Sequence, residues 1–209
     1  MKIEGEYIFD GPREKVWEIV RDPEVLATAL PGTQSLELVS EAEYAGEMHV
    51  RVGPVSGVFA GRIVVSEEVP PESCTLSVDG RGAPGFANGI GQIQLEELED
   101  GRTLMKYEGE MQVGGRIAGV GQRLIDSASK SMIAQGLESL NNSLKAQEEA
   151  EEEGREVVYT PPSEAEFAAA VARDVARDML PPARTMGIVL AAVAALVILV
   201  LWLSRRREE

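Results

Sequence analysis

Apolar and polar residues alternate every second position in seven stretches, near 2–9, 34–40, 43–52, 57–68, 73–80, 89–97 and 103–113. That period marks strands with one face on a core. Two short stretches have helical spacing instead, Arg13–Val20 and Pro23–Leu30. Asp10 and Pro12 precede the first, and Asp22 is the expected N-cap of the second, with Pro23 at its first helical position. A long helix is predicted over Ala118–Ala150 on the stripe Val120, Leu124, Ala128, Met132, Leu137, Leu140 and Leu144. The stripe drifts near Gly136, a position at which the helix can bend.

Strand, two helices, six strands and one long helix is not the alternation that builds a parallel sheet. An antiparallel sheet curled around the last helix buries the stripe most economically. The expected fold of residues 1–147 is therefore α+β, a helix-grip arrangement of the kind shared by START-like lipid carriers.

Strand parity then sorts the side chains. Tyr7 and Phe9; Met48, Val50 and Val52; Phe59, Ile63 and Val65; Cys74, Leu76 and Val78; Ile93 and Leu95; and Met105, Tyr107, Met111 and Val113 should turn inward. Gly5, Gly46, Gly61, Gly80, Gly89, Gly91 and Gly109 fall on the same parity. Glycine weakens a strand interior, so it needs a reason there. One reason is strong curvature; the other is curvature together with space for a ligand. Both readings stay open on the sequence. The inward positions carry almost no charge, which suits an apolar molecule held by few polar anchors. The candidate lining is Phe59, Ile63, Leu76, Phe86, Ile93, Met105, Tyr107, Met111 and Leu124. Tyr107 is the expected hydrogen-bond donor, and Phe86 a wall or gate beside the turn at Ala83–Pro84. The turns near Gly53–Pro54 and Ala83–Pro84 are candidates for a cavity mouth that touches a bilayer, and the first reads equally as an ordinary turn packed on the core.

Beyond the domain the composition changes. Residues 148–162 read as an acidic and Pro-bearing linker. Ser163 and Glu166 form a capping box that opens a helix over 163–180, with Phe167, Val171, Val175 and Met179 along one edge. Docking of this helix on protein is expected over docking on lipid, because its charge is more acidic than an interfacial helix's. Residues 186–203 are uniformly apolar, about 27 Å long as a helix and matched to a bilayer core. Trp202 and Arg205–Arg207 follow the pattern of an interfacial anchor. A single-pass C-terminal membrane span is expected. The start of the chain lacks a basic stretch followed by an apolar run, which argues for a cytoplasmic domain. The arginines argue for the opposite side.

Charge and rare residues remove several functions. Twenty Lys and Arg against 35 Asp and Glu give a net charge of −15, which phosphate backbones would repel, so no nucleic-acid partner is expected. One Cys and one His exclude an internal disulfide and the usual zinc clusters. His49 falls on the outward parity with Glu47 and Arg51. Cys74 is expected to be buried and inert. Gly114–Gly121 misses the dinucleotide spacing and reads as a strand-to-helix junction. No catalytic set and no metal site are predicted.

Six short motifs narrow the picture further. They are Asp22-Pro23-Glu24-Val25-Leu26; Leu30-Pro31-Gly32; Val52-Gly53-Pro54-Val55 with Gly57, Phe59 and Gly61; Gly85-Phe86-Ala87-Asn88-Gly89; Val113-Gly114-Gly115; and Arg123-Leu124-Ile125-Asp126. In this order the chain resembles the CoxG family of carbon monoxide dehydrogenase subunits, over about 1–147. The resemblance implies a non-catalytic, membrane-attached accessory protein of molybdenum hydroxylases. It also implies a cavity for an apolar ligand such as a quinone and no covalent cofactor. The alternatives are a ligand-free scaffold that holds an enzyme at the membrane, and a small-molecule-transforming enzyme on the same fold.

Overall fold

The computed structural model describes residues 1–30, 32–153 and 163–179. Its elements are β1 (Lys2–Phe9), α1 (Arg13–Arg21), α2 (Pro23–Ala29), β2 (Thr33–Ser40), β3 (Glu43–Val52), β4 (Val55–Val69), β5 (Ser73–Gly82), β6 (Gly85–Glu97), β7 (Thr103–Gly114), α3 (Gln122–Glu153) and α4 (Glu164–Met179). One antiparallel sheet runs in the order β1-β7-β6-β5-β4-β3-β2, so α1 and α2 carry the chain from one edge to the other. Consecutive strands from β2 to β7 pair through hairpins, as antiparallel neighbours can.

Asp22 caps α2 as its sequence predicts. Its carboxylate accepts the backbone N–H groups of Glu24 at 2.8 Å and Val25 at 3.2 Å, ahead of Pro23. Asp22→Ala should cost about 1 kcal/mol, read as a lower urea midpoint with an unchanged slope. An unaltered midpoint would mean the cap adds no stability.

Packing divides into two ends and a side. At one end Phe9, Val16, Ile19, Ala29, Leu95, Met105, Leu140 and Leu144 are all at most 4% exposed, closing β1, α1, α2 and the second half of α3 together. At the other end Val52, Phe59, Ile117 and Ala128 pack with Leu124, Val120 and Val175. Along the side, Tyr44, Val65 and Cys74 pack against Trp17, Ile63, Leu76 and Ile93. Tyr44 donates its hydroxyl to the Arg21 carbonyl at 2.7 Å, tying β3 to the end of α1. A second tie holds β1 to α3. The Asn141 amide donates to the Asp10 carboxylate at 2.9 Å, and its carbonyl accepts the Asp10 N–H at 2.8 Å. Lys145 and then Asn141 hold the Asp10 carboxyl below its usual range.

Both ends of the long helix differ from the pattern reading. The long helix starts at Gln122, because Gly121 takes a φ of 96° and Ile117–Val120 form a 3-10 turn instead. It then runs on to Glu153, through residues expected in the linker; Ala150 is buried there and Lys15 pairs with Glu151 at 2.8 Å. At Gly136 the helix is continuous. A Cβ on Gly136 would lie 2.9 Å from a Leu30 methyl, so that glycine makes room for the end of α2.

The capping box before α4 is formed: the Glu166 N–H donates to Ser163 Oγ at 3.3 Å, and Ser163 N–H donates to Glu166 at 2.9 Å. The helix docks antiparallel on α3. Ser127 donates to Asp178 at 2.9 Å and Ser131 to Asp174 at 2.8 Å, so two serines four apart meet two aspartates four apart. Val171 is buried and Val175 joins the Phe59 cluster. Among the described residues no helix is long and apolar enough to cross a membrane. The predicted span at 186–203 and the rest of the linker lie outside them.

Candidate functional site

The inner face of the sheet, turned toward α3, is best followed along its cross-strand rows. One row reads Gly46, Gly61, Gly80, Ala87 across β3, β4, β5 and β6. No side chain on it exceeds a methyl, leaving a bare strip about 14 Å wide at ordinary strand spacing. The next row reads Tyr44, Ile63, Val78, Gly89, Met111, and the one after it Val65, Leu76, Gly91, Gly109, Ile3. These rows lie between the two packed ends. Ile63, Leu76, Val78 and Met111 on them are only half-buried, as are Met48 on the strand and Met132 on α3. Apolar side chains on this face that stay partly exposed leave surface that an apolar molecule would cover.

Much of the glycine content has a purely steric cause. A Cβ on Gly61 would stand 2.7 Å from the Asp79 carbonyl oxygen and 3.1 Å from the Gly80 Cα. One on Gly109 would meet the Ile90 carbonyl at 2.6 Å, and one on Gly46 would run into the Ser35 carbonyl. These glycines let adjacent strands curl tightly. Gly80 is different: its Cβ would meet nothing nearer than the Ala87 carbonyl at 3.4 Å, an ordinary contact. Curvature explains most of the set, whereas at Gly80 a Cβ would fit without a clash.

The candidate lining residues do not all stand together. Ile63, Leu76, Ile93, Tyr107 and Met111 share the inner face and are half-buried. Phe59 and Leu124 belong to the packed end near Ile117, where they close the space. Met105 is 2% exposed within the opposite end and has no free surface. Phe86 departs from the group. Because β6 begins at Gly85, Phe86 takes the outward parity, is 40% exposed, and lies across Gly114 of β7. It is corrected to an outer-face residue. Met48, Val78 and Met132 are the additional lining residues; parity already places the first two inward.

Tyr107 lies flat across Gly5, its directly paired neighbour on β1, where a Cβ would strike the phenol ring. Its hydroxyl is thus carried to the β1 side of the face. Burial alone pushes its pKa up, so it stays a neutral donor. Burial, with Glu68 adding to it, likewise raises the Cys74 thiol, which is 6% exposed and poorly suited to nucleophilic attack. His49 pairs with Val58 on the outward parity. Among the described residues no three His, Cys, Asp or Glu side chains converge on a metal position. A depression of about 510 Å3 lies on the outer face behind Gly46 and Gly61, with Glu37, Glu47, Arg62, Asp79 and Arg81 around it. Arg62 pairs there with Glu43 at 2.9 Å and Arg81 with Asp79 at 3.2 Å.

The family whose sequence model matches is CoxG, described as a subunit of carbon monoxide dehydrogenase, over residues 5–145. No curated protein matches the chain. A conserved protein from Geobacillus kaustophilus is 30% identical, with a TM-score of 0.67, over 69% of this chain and 95% of that one. A START superfamily protein from Mycobacterium smegmatis is 11% identical, with a TM-score of 0.54, over 69% of this chain and 97% of that one. The Zhui aromatase/cyclase from Streptomyces sp. R1128 is 14% identical, with a TM-score of 0.53, over 70% and 94%. The last two share the fold alone, and one being an aromatase/cyclase, the fold itself does not separate carriers from enzymes. Matched by its family's model from β1 into the second half of α3, the chain belongs to the CoxG family of carbon monoxide dehydrogenase subunits.

Proposed function

We propose that this chain is a membrane-tethered carrier that holds one apolar ring compound, a quinone, within the grip of its sheet and α3. It serves a molybdenum hydroxylase of the carbon monoxide dehydrogenase type as recruiter and electron-acceptor carrier. The chain makes and breaks no bond itself. The observation that carries this reading is the uncharged inner face, half-open between two dry ends. Family membership supports the partner, and the apolar run at 186–203 supports a single C-terminal anchor.

Tyr107 is the donor proposed for a ring carbonyl of the quinone. A neutral hydrogen bond contributes roughly 0.5–1.5 kcal/mol net, so Tyr107→Phe should weaken quinone binding about 3- to 10-fold. Titration of the full chain carrying Trp202→Phe in detergent, followed by the fluorescence of the remaining Trp17, measures this. Saturable wild-type binding with the expected loss supports the carrier and its donor. Unchanged affinity removes Tyr107 from the site, and the absence of any saturable quinone binding removes the carrier reading.

A second reading is favoured by the steric role of Gly46, Gly61 and Gly109, which a ligand-free scaffold would need equally. The scaffold predicts that filling the cavity changes neither recruitment of the hydroxylase to membranes nor electron transfer. The carrier predicts that recruitment survives and electron transfer to quinone is lost.

A further inference from the structure

Charge is unevenly distributed along the long axis of the domain, and α4 finishes at one end of it. At one end the β3–β4 turn, the β5–β6 turn, the 3-10 turn and the last turns of α4 come together. A Cβ on Gly53 would touch Leu124, one on Gly57 would touch Pro84, and Arg116 donates to the Ala83 carbonyl at 3.3 Å. Arg123 donates to the Asp178 carbonyl at 3.2 Å, which holds the end of α4 at this place. Arg51, Arg116, Arg123 and Arg177 are all exposed here. Asp126, Asp174 and Asp178 lie beside them and keep their charge while accepting from Gln122, Ser131 and Ser127, so the four arginines outnumber these acids by one. The opposite end carries exposed Glu97, Glu99 and Glu149, with Glu151 paired to Lys15, Asp100 to Arg102 and Asp10 to Lys145. In a chain of net charge −15, an arginine-bearing end is a local reversal of sign.

We propose that this end docks flat on an anionic lipid surface, with Pro54 and Val55 at the headgroups and the acidic end pointing away. The inference rests on the membrane-tethered reading above. Two observations carry it. One is charge complementarity, since arginines within a Debye length of an anionic bilayer are attracted to it. The other is where the described chain ends. α4 finishes at Met179, pinned to the arginine end, and only residues 180–185 separate it from the apolar run beginning at Met186. Six residues reach at most about 20 Å when fully extended, so a docked α4 keeps this end close to the bilayer. The docked pose sets the Phe59–Ile117 plug, rather than the α1–α2 end, at the lipid boundary.

The test uses the full chain in vesicles, with a fluorophore on Ser56→Cys or on Glu99→Cys and a quencher in the lipid headgroups. Cys74 is buried and leaves the label to the introduced thiol. In vesicles rich in phosphatidylglycerol, the label at 56 should be quenched and the label at 99 should not. Arg51→Gln with Arg177→Gln, two side chains without an ion pair among the described residues, should lower the docked-to-undocked ratio about tenfold or more. Equal quenching at both positions overturns the proposal, as does a signal at 56 indifferent to lipid charge and to the double substitution. Protection at 56 that requires the hydroxylase and ignores the lipid also overturns it, in favour of a protein partner. Flotation of the chain with vesicles, scored separately, reports the tether itself, so failure of the anchor is distinguishable from failure of the docking.

Discussion

Gly61→Ala should destabilise the domain by about 2–4 kcal/mol, while Gly80→Ala, on the neighbouring strand of the same row, should leave stability within about 1 kcal/mol. The contrast follows from what each new Cβ meets. At Gly61 the obstacles are backbone, the Asp79 carbonyl at 2.7 Å and the Gly80 Cα at 3.1 Å, and neither can turn aside as a side chain would. The strands must separate, loosening the coil that brings β3, β4 and β5 around α3. At Gly80 the contact is an ordinary 3.4 Å, and alanine recovers the conformational entropy a strand glycine costs. For a domain of this size the Gly61 substitution lowers the melting temperature by roughly 5–15 °C. Equal melting temperatures for the two variants would show that the curvature does not depend on glycine at 61.

Gly80→Leu should abolish quinone binding, at least tenfold, while the melting temperature stays near the wild-type value. Its side chain projects from the bare strip into the space between the packed ends, where a ligand and a leucine cannot coexist. Burying the leucine against Val78, Ile63 and Met111 offsets any local adjustment. Loss of binding with retained stability identifies the strip as the ligand's seat. Retained binding would place the ligand elsewhere, and a severe loss of stability would mean that the strip has no room.

Strand parity makes the inner face legible from sequence, because period-two alternation survives whatever the curvature. It places Ile63, Leu76, Ile93, Tyr107 and Met111 together, as the folded sheet does. Parity fails where the strand boundary is misread. With β6 expected from 89, Phe86 falls in a turn and has no face; the strand begins at Gly85, which fixes Phe86 outward. Glycine on the inner parity is legible as a signal but not as a cause. Only the separation of strand backbones distinguishes Gly61, which permits curvature, from Gly80, where a Cβ would fit without a clash. The acidic run after 147 reads as a solvated helix end or as linker, because charge alone does not decide between the two. Burial of Ala150 and the Lys15–Glu151 pair, 136 residues apart, extend the helix. Docking of α4 is visible as an apolar edge through Val171 and Val175, and as an acidity unlike that of lipid-bound helices. Its partner is not, since the match of Ser127 and Ser131 to Asp178 and Asp174 exists only once two distant helices are side by side.

The central claim is that the grip holds an apolar molecule. Native mass spectrometry of the full chain, purified from its membrane in mild detergent and followed by solvent extraction, tests it most directly. A quinone at near-stoichiometric level, absent from Gly80→Leu prepared in parallel, is the predicted result. A chain that arrives empty and also ignores added quinone would contradict the claim.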